Sequence, residues 1–486
     1  MAVDGVRDGS RIDPSLATTT AAEAAASVDA DATVATSGFG RVGYPKAVPV
    51  ALADDDVDRS LTVVSGGSVG DEIDTALVES GDLARRHPFV AVEAARDAIN
   101  AGDVAFADRH IAGLADDVAT GRFGDVDVAV VEAVAVGEDW LVPSTSLGAT
   151  PAFVAAADEL IVEVNDAQPL ALCDVHDVYR RDLPPDREPI PLAGPGDRIG
   201  TSHVSFDATK LAAVVRTDER DTPYRFRDAT AADRAIADHL VTFLEAEVER
   251  NPVFAESLAL QFGVGSVGNA LMAGIEDADF GDRSLTYFGE VVQDGLLDLL
   301  DAGRLDAASA TALALSERGQ QRLFDDVERY AGDVLLRPAA VSNSPALVDR
   351  FGVIAVNSAL AVDRTGHVNS THLRGSHLVN GVGGSGDFTR NAAVSVIALP
   401  STAGNGDVSR IVPEVAHVDH TEHDVDVVIT DHGIADLRGL SPRERADAVT
   451  PIAAPSFRSE LEAYDRTARE GGGHVPRDPN ELLGWH

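Results

Sequence analysis

Glu290 is the carboxylate whose sequence surroundings most favour a nucleophilic role. It follows the apolar segment 285–288, which predicts a strand, and precedes segment 291–302, whose apolar residues recur three and four apart and predict a helix. In open α/β sheets the carboxyl ends of the strands face the ligand crevice, and a carboxylate beside a helix N-terminus is expected to stay ionised. Glu290 could therefore attack an electrophile. The alternative is an ordinary acidic residue at a helix start.

A glycine loop, Gly263-Val264-Gly265-Ser266-Val267-Gly268, precedes Glu290 and follows another apolar run. A helix is predicted to follow at 269–275, so the backbone N–H groups of the loop can face an anionic ligand. The loop also matches the GxGxxG pattern of dinucleotide-binding units, in which an acid roughly 20 residues later, here Glu290, binds a ribose. An NAD-linked dehydrogenase is therefore one alternative.

Two further glycine-rich loops could bind an anion or a thioester carbonyl. Residues 37–46 contain three glycines at a predicted strand, loop and helix junction, and residues 380–388 contain four glycines in six positions ahead of the predicted strand 394–398. Several glycines close together let backbone amides approach a ligand, as an oxyanion hole requires. The alternatives are a tight turn for the first loop and a flexible surface loop for the second.

Two other patterns suggest different chemistry. Ser68 lies in Gly66-Gly67-Ser68-Val69-Gly70, which fits the GxSxG elbow of serine hydrolases, although glycine and serine are abundant in this chain. His417, His420 and His423 alternate with carboxylates before a predicted strand, which suggests either a metal site or a hydrogen-bonded polar seam.

The elements that must position these residues alternate between short apolar strands and amphipathic helices, a pattern that predicts an α/β fold with parallel sheets. Thr230 is a predicted N-cap for a long helix at 231–250, and a domain boundary is predicted between 215 and 230. We therefore expect two domains, residues 1–220 and 221–486. The predicted strands are 33–36, 61–64, 127–135, 159–164, 285–288, 394–398 and 425–430, and the predicted helices are 88–101, 231–250 and 291–302.

The charge balance restricts partners and surroundings. The chain has 80 acidic and 39 basic residues, a formal charge of −41, and Lys46 and Lys210 are its two lysines. This balance resembles that of proteins from salt-loving microbes, in which a Debye length of about 3 Å at molar salt screens self-repulsion. It disfavours nucleic acid as a partner. No apolar run is long enough to cross a membrane, residues 1–13 lack the features of a secretion signal, and the single cysteine, Cys173, cannot form an internal disulfide, so a cytoplasmic protein is expected.

Taken together, the loops and their neighbours resemble the acetyl-CoA hydrolase and succinyl-CoA:acetate CoA-transferase family from about residue 15 to residue 468. The segments that carry the resemblance are 37–39, 43–49, 161–165, 167–170, 195–200, 263–265, 285–295, 366–372, 381–388, 417–430 and 435–440.

The resemblance implies two related open α/β domains of the CoA-transferase type, with the active site between them. Glu290 occupies the place of the family's glutamate, which forms covalent acyl and CoA adducts. Asn343 would polarise its carboxyl group, and Gly384 would complete an oxyanion hole and contact CoA. The backbone of Gly263, Val264, Gly265, Ser266 and Val267 would contact CoA and form the rest of that hole.

The function implied is transfer of coenzyme A between a short acyl-CoA and a small carboxylic acid such as acetate, succinate or propionate. Alternatives are hydrolysis of a short acyl-CoA at the same glutamate and a non-catalytic acyl-CoA-binding protein. The resemblance also implies CoA thioesters as substrates, no metal, no permanently bound cofactor and a homodimer. This chain departs from many relatives in lacking a lysine near Gly404 and in having Phe262 and Gly289, of which the latter predicts an altered acyl pocket.

Overall fold

The structure is a computed structural model that describes residues 9–476. Most of the segment 1–13, on which the expected lack of a secretion signal depends, lies outside the described residues. The strands are β1 Thr33–Thr36, β2 Leu61–Ser65, β3 Leu83–His87, β4 Ala105–Phe106, β5 Val128–Val136, β6 Trp140–Pro143, β7 Glu159–Asn165, β8 Val204–Ser205, β9 Leu211–Thr217, β10 Ser257–Phe262, β11 Ser284–Phe288, β12 Val291–Val292, β13 Ala307–Ala310, β14 Ala312–Leu313, β15 Val334–Leu336, β16 Ile354–Asn357, β17 Ala361–Asp363, β18 Val368–Asn369, β19 His372–Leu373, β20 His377–Leu378, β21 Val394–Ala398, β22 Thr402–Ala403, β23 Val408–Ser409, β24 Ile411–Val412, β25 Val427–Thr430 and β26 Gly433–Asp436.

Helices connect most of the parallel strands. They are α1 Ala21–Ala25, α2 Ala47–Asp54, α3 Asp71–Ser80, α4 Glu93–Ala101, α5 Leu114–Ala119, α6 Thr150–Ala156, α7 Ala231–Arg250, α8 Ser266–Asp277, α9 Asp294–Asp301, α10 Glu317–Asp325, α11 Val327–Tyr330, α12 Ala339–Ser342, α13 Pro345–Arg350, α14 Ser385–Thr389, α15 Pro442–Val449 and α16 Pro455–Glu470. Among residues 9–476, no helix combines the length and the apolar character needed to cross a membrane.

The first sheet is built from β1 to β9. Its parallel strands lie in the order β4-β3-β2-β1-β5-β7-β9, and the second half of β5 also pairs with the antiparallel β6, which pairs with β8. Successive residues of β5 pack on opposite sides: Val128 and Val130 join one apolar cluster, and Ala129 and Val131 join the other. Both faces of this sheet are therefore covered, which explains why β5 is nearly continuously apolar.

The second sheet has the order β15-β13-β11-β10-β16-β21-β25-β26, and every neighbouring pair is parallel except β25 and β26. From β10 the chain continues to β11 on one side, while β16 occupies the other side. The strand order therefore reverses at β10, and in such sheets ligands bind in the crevice at the carboxyl ends of the strands beside the reversal. The loop that begins at Gly263 lies at this point.

Backbone hydrogen bonds join the two sheets through residues 145–148 and 311–313. Leu147 N donates to Thr311 O at 2.8 Å, and Leu313 N donates to Thr145 O at 3.0 Å. Gly148 N also donates to the hydroxyl oxygen of Thr311 at 2.9 Å. We call these two hydrogen-bonded segments, residues 145–148 and 311–313, the connecting strap. It ties the first sheet to the chain that follows β13.

The predicted α/β class is confirmed, and each predicted strand is present to within two residues at either end. The helix at 231–250 is also correct, and Thr230 forms a capping box with Asp233. The helix predicted at 88–101 begins at Glu93. The helix predicted at 291–302 begins at Asp294, because Val291 and Val292 form a strand that pairs with Ala312 and Leu313. The domain boundary near residue 220 stays a prediction.

Candidate active site

Glu290 lies just past the carboxyl end of β11, with its backbone fixed from outside its own strand. Its carbonyl oxygen accepts hydrogen bonds from Thr311 N at 2.8 Å and Ala312 N at 3.1 Å. The chain then enters β12, so the N-terminus of α9 is not beside Glu290 as the sequence predicted. The cause is the pairing of β12 with β14. The paired residues are 21 apart in sequence, so the residues around Glu290 carry no signal of this strand.

Asn343 holds the carboxyl group of Glu290 from the end of α12. Its Nδ2 donates to Glu290 Oε1 at 2.8 Å. The hydroxyl of Ser342 donates to Asn343 Oδ1 at 2.8 Å, which orients the amide so that its nitrogen faces Glu290. Because Ser342 and Asn343 are both fully buried, this donor is held in position before any ligand arrives.

Gly384 touches the same carboxyl group from the third glycine loop. A Cβ on Gly384 would overlap both Glu290 Oε1 and Asn343 Nδ2. Its φ of −91° is open to any residue, so space and not backbone conformation requires glycine here. The structure thus brings together Glu290, Asn343 and Gly384, three residues that the sequence analysis selected.

Burial changes the protonation of Glu290. The protein around the carboxyl group raises the pKa of Glu290 from 4.5 to about 7, and the hydrogen bond from Asn343 opposes this rise in part. The expectation that a helix N-terminus keeps Glu290 ionised is therefore wrong. Near neutral pH the group exchanges between its acid form and its carboxylate form.

A second carboxyl group, that of Asp387, lies beside the same side-chain amide of Asn343. Asp387 was not among the site residues selected from the sequence. Its Oδ2 lies 3.3 Å from Asn343 Nδ2 and accepts a hydrogen bond from Ala112 N at 2.9 Å. Burial raises the pKa of Asp387 to about 7, and the charge of Glu290 adds to the rise. Two carboxyl groups on one amide, a half-buried Glu290 and a buried Asp387, favour a state in which one of them keeps a proton.

The glycine loop at 381–386 packs against residues from the half of the molecule that contains the first sheet. Val382 N donates to Asp108 Oδ2 at 2.7 Å. A Cβ on Gly381 would lie 2.7 Å from the ring of Phe89, and a Cβ on Gly386 would overlap the ring of His110. The glycines therefore allow this loop to pack closely against the other half of the molecule.

The loop at 263–268 lines a separate cavity of about 250 Å³ at the strand-order reversal. Helix α8 begins at Ser266, three residues earlier than predicted, and Gly265 precedes it with φ of 147°. No side chain caps this helix, so its first N–H groups are available to a ligand. Glu290 does not line this cavity. Val264 connects the two regions, because it packs on the apolar cluster that contains Val291.

Phe262 and Gly289, at which the sequence departs from many relatives, lie beside Tyr287. The Phe262 and Tyr287 rings are 5.0 Å apart. A Cβ on Gly289 would overlap the hydroxyl group of Tyr287. Gly289 thus makes room for Tyr287, and a changed acyl pocket stays a prediction.

The three histidines and Ser68, which suggested other chemistry, have the following surroundings. His420 Nε2 lies 2.9 Å from the Ser385 hydroxyl, while the His417 ring packs 4.0 Å from that of His372, so the histidines join different neighbours. Within residues 9–476, no three His, Cys, Asp or Glu side chains are grouped to hold a metal ion. Ser68 donates no hydrogen bond to a histidine in that range. A larger cavity of about 620 Å³, lined by residues such as Arg181 and Pro338, includes none of the predicted site residues.

Comparison with known proteins gives matches along most of the chain. Residues 17–216 match the family model "Acetyl-CoA hydrolase/transferase N-terminal domain", and residues 319–465 match its C-terminal counterpart. The chain is 41% identical over 460 residues to a succinyl-CoA:acetate CoA-transferase of Clostridium kluyveri, covering 93% of this chain and 85% of that protein. It is 39% identical over 474 residues to an acetyl-CoA hydrolase of Eremothecium gossypii, covering 93% and 90%. The fold is similar to that of RipA from Yersinia pestis, with a TM-score of 0.70, 21% identity and coverage of 96% and 99%.

Proposed function

Because the chain belongs to the acetyl-CoA hydrolase/transferase family, a family of enzymes that act on CoA thioesters, we propose that it transfers coenzyme A between a short acyl-CoA and a small carboxylic acid. Acetate, succinate and propionate are the acids to test first. In this proposal Glu290 is the nucleophile, and the NAD-linked dehydrogenase and the non-catalytic binding protein are set aside, since the relatives are CoA enzymes.

The observation that carries the proposal is the contact of the Glu290 carboxyl group with both Asn343 and Gly384. A free carboxylate is a weak nucleophile in water. Here its position is fixed by the buried amide of Asn343 and by the backbone N–H groups of Thr311 and Ala312, which reduces the entropy lost on reaching the transition state. Burial also disfavours its anion, so conversion to an uncharged adduct relieves an unfavourable state.

The proposed reaction passes through two covalent intermediates on Glu290. The Glu290 carboxylate attacks the acyl carbonyl of the thioester, the C–S bond breaks, and an acyl-glutamyl anhydride and CoA thiolate form. The thiolate attacks the glutamyl carbonyl, which gives a glutamyl-CoA thioester and releases the first acid. The acceptor carboxylate reverses both steps and leaves as the new acyl-CoA, while Glu290 returns unchanged.

Backbone N–H groups provide the stabilisation of charge in this scheme. The tetrahedral oxyanion would be bound by backbone amides of the loop at Gly384, which touches the Glu290 carboxyl group, while the amides at 263–267 would contact CoA in their separate cavity and are not beside Glu290. Such donors are worth roughly 3 kcal/mol each to a transition state. Hydrolysis is the second candidate, because water could attack the same anhydride and because a hydrolase is among the relatives.

One assay separates the two candidates. Acetyl-CoA would be incubated with propionate or succinate in molar potassium chloride, and formation of the new acyl-CoA would be compared with loss of total thioester. We expect transfer to exceed loss. If thioester loss is as fast with the acceptor as without it and no new acyl-CoA forms, the activity is hydrolysis.

The role of Glu290 has its own test. Glu290→Gln should lower the rate by several orders of magnitude and leave CoA binding in place. Trapping with borohydride after incubation with acetyl-CoA should reduce the side chain of Glu290, detected by peptide mass. A fully active Glu290→Gln variant would contradict the mechanism.

A further inference from the structure

The cavity lined by residues 263–268 contains one cation without a counterion. Its charged lining side chains are Arg227, Asp233 and Arg410. Arg227 is matched, because its guanidinium donates to both oxygens of the buried Asp233 at 2.7 and 3.1 Å. Arg410 forms no ion pair with any acid of residues 9–476. The cavity wall therefore carries one net positive charge, in a protein of net charge −41.

The backbone of Arg410 is hydrogen-bonded on both sides, although its guanidinium has no hydrogen-bond or ion-pair partner among residues 9–476. Its N–H donates to Ser401 O at 2.9 Å, and its carbonyl oxygen accepts from Val362 N at 2.8 Å. Arg410 lies between β23 and β24 and pairs with Ser401, at the end of the β22–β23 hairpin away from the turn at 404–406. Partial burial lowers the pKa of its guanidinium, and no nearby carboxylate opposes this change. An unmatched, partly buried cation gains stability when an anion binds beside it.

The remaining wall of the cavity suits an oxygen-rich anion. The uncapped N-terminus of α8 presents N–H groups at Ser266 and Val267, and Asn357 lines the wall at the end of β16. Backbone N–H groups and an arginine fork together match the oxygens of a phosphate. A volume of about 250 Å³ accommodates a phosphate group and its neighbours but not a whole CoA molecule.

We infer that Arg410 binds a phosphate group of coenzyme A in this cavity and thereby supplies the local positive charge that the acidic surface lacks. This inference rests on the proposed function, since it takes CoA to be the ligand. It makes Arg410 a binding residue that acts on affinity and not on the covalent steps at Glu290. The net negative charge of the protein repels CoA. A single arginine that pairs with a CoA phosphate therefore contributes a large part of the recognition of CoA.

The test compares variants on ligands with and without phosphate groups. Titration calorimetry would measure the Kd of CoA for the wild-type protein and for Arg410→Gln, Arg410→Lys and Arg466→Gln. Arg466 is exposed and outside the cavity, so its variant controls for the change in net charge. Loss of a charge-assisted contact should weaken CoA binding roughly 10- to 100-fold in Arg410→Gln, with part of it restored in Arg410→Lys and none lost in Arg466→Gln.

Steady-state kinetics then distinguish a loss of phosphate binding from a general loss of folded protein. Acetyl-CoA and S-acetylpantetheine, which has no phosphate, would be compared as substrates. Arg410→Gln should lower kcat/KM for acetyl-CoA by the same factor as it raises the Kd of CoA and should leave kcat/KM for S-acetylpantetheine within about twofold. Equal losses on both substrates would overturn the inference. An effect that persists with dephospho-CoA assigns Arg410 to the diphosphate, and one that disappears assigns it to the 3′-phosphate.

If the wild-type protein binds CoA and Arg410→Gln binds it equally well, the inference fails and the proposed function stands. If the wild-type protein binds CoA through Arg410 but turns over no thioester, the proposed function fails and the binding role stands. A wild-type protein that binds no CoA overturns both.

Discussion

Replacing Glu290 by glutamine should make the folded protein more stable above neutral pH while it abolishes activity. The pKa of Glu290 is raised in the folded state, so between pH 4.5 and about 7 the folded protein holds a proton that the unfolded chain has lost. The free energy of unfolding therefore falls as pH rises through this interval. Glutamine keeps an oxygen for Asn343 Nδ2 and carries no charge, so it avoids this loss.

The size of the effect follows from the two pKa values. The interval from 4.5 to about 7, at about 1.4 kcal/mol per pH unit, corresponds to a gain of about 3 kcal/mol at pH 8. At pH 5.5 the gain should fall to about 1 kcal/mol, because only part of the interval has been crossed. Asp387 adds to the gain at pH 8, since the charge that helps to raise its pKa is removed.

Urea unfolding at pH 8 and pH 5.5 in the same molar potassium chloride would measure both values. Glu276→Gln, a matched change on the exposed surface of α8, should alter the free energy of unfolding by less than about 0.5 kcal/mol at either pH. Equal stability of the wild-type protein and Glu290→Gln at pH 8 would refute the assignment of a half-buried, destabilised carboxylate. A gain of the same size at both pH values would refute its titration.

Three further outcomes are expected. Gly384→Ala should lower kcat about 100-fold or more with the fold retained, because the new methyl group displaces the Glu290 carboxyl group; a near-normal kcat would contradict this contact. Asn343→Ala should lower kcat at pH 7 roughly 10- to 100-fold and move the midpoint of the pH–rate profile upward, since a hydrogen bond that favours the carboxylate is lost; an unmoved midpoint would contradict it. Lys46 Nζ forms buried ion pairs with Glu132 at 2.6 Å and Asp221 at 3.0 Å, so Lys46→Met, which leaves both carboxylates without their cation, should destabilise the protein by about 3–5 kcal/mol in urea unfolding; a neutral effect would show that Glu132 and Asp221 are protonated.

Local signals account for what could be predicted from the sequence. The capping residue Thr230 and the long amphipathic run after it located α7 to the residue. The glycine density at 381–386 marked a loop in close contact with functional groups, and the strand before Glu290 identified the edge of the sheet where it lies. Asn343 carried no such signal and entered through the family resemblance alone.

Contacts between distant segments account for what was missed. Asp387 reaches the site through Asn343 and through Ala112, which is 275 residues away in sequence. Arg410 is one of many arginines, and its lack of a partner becomes visible only when its neighbours are assembled. The strand at 291–292 forms because β14 lies beside it, so a helical pattern was overridden by pairing.

The connecting strap has a mechanical consequence. A clamshell motion of the two halves would pull on the backbone hydrogen bonds of Leu147 and Leu313 and, through Thr311 N, on the carbonyl oxygen of Glu290 itself. Admission of a ligand by such a motion would disturb the nucleophile each time. We therefore expect the bulky thioester to enter through shifts of the surface loops, with the frame around Glu290 staying rigid throughout turnover.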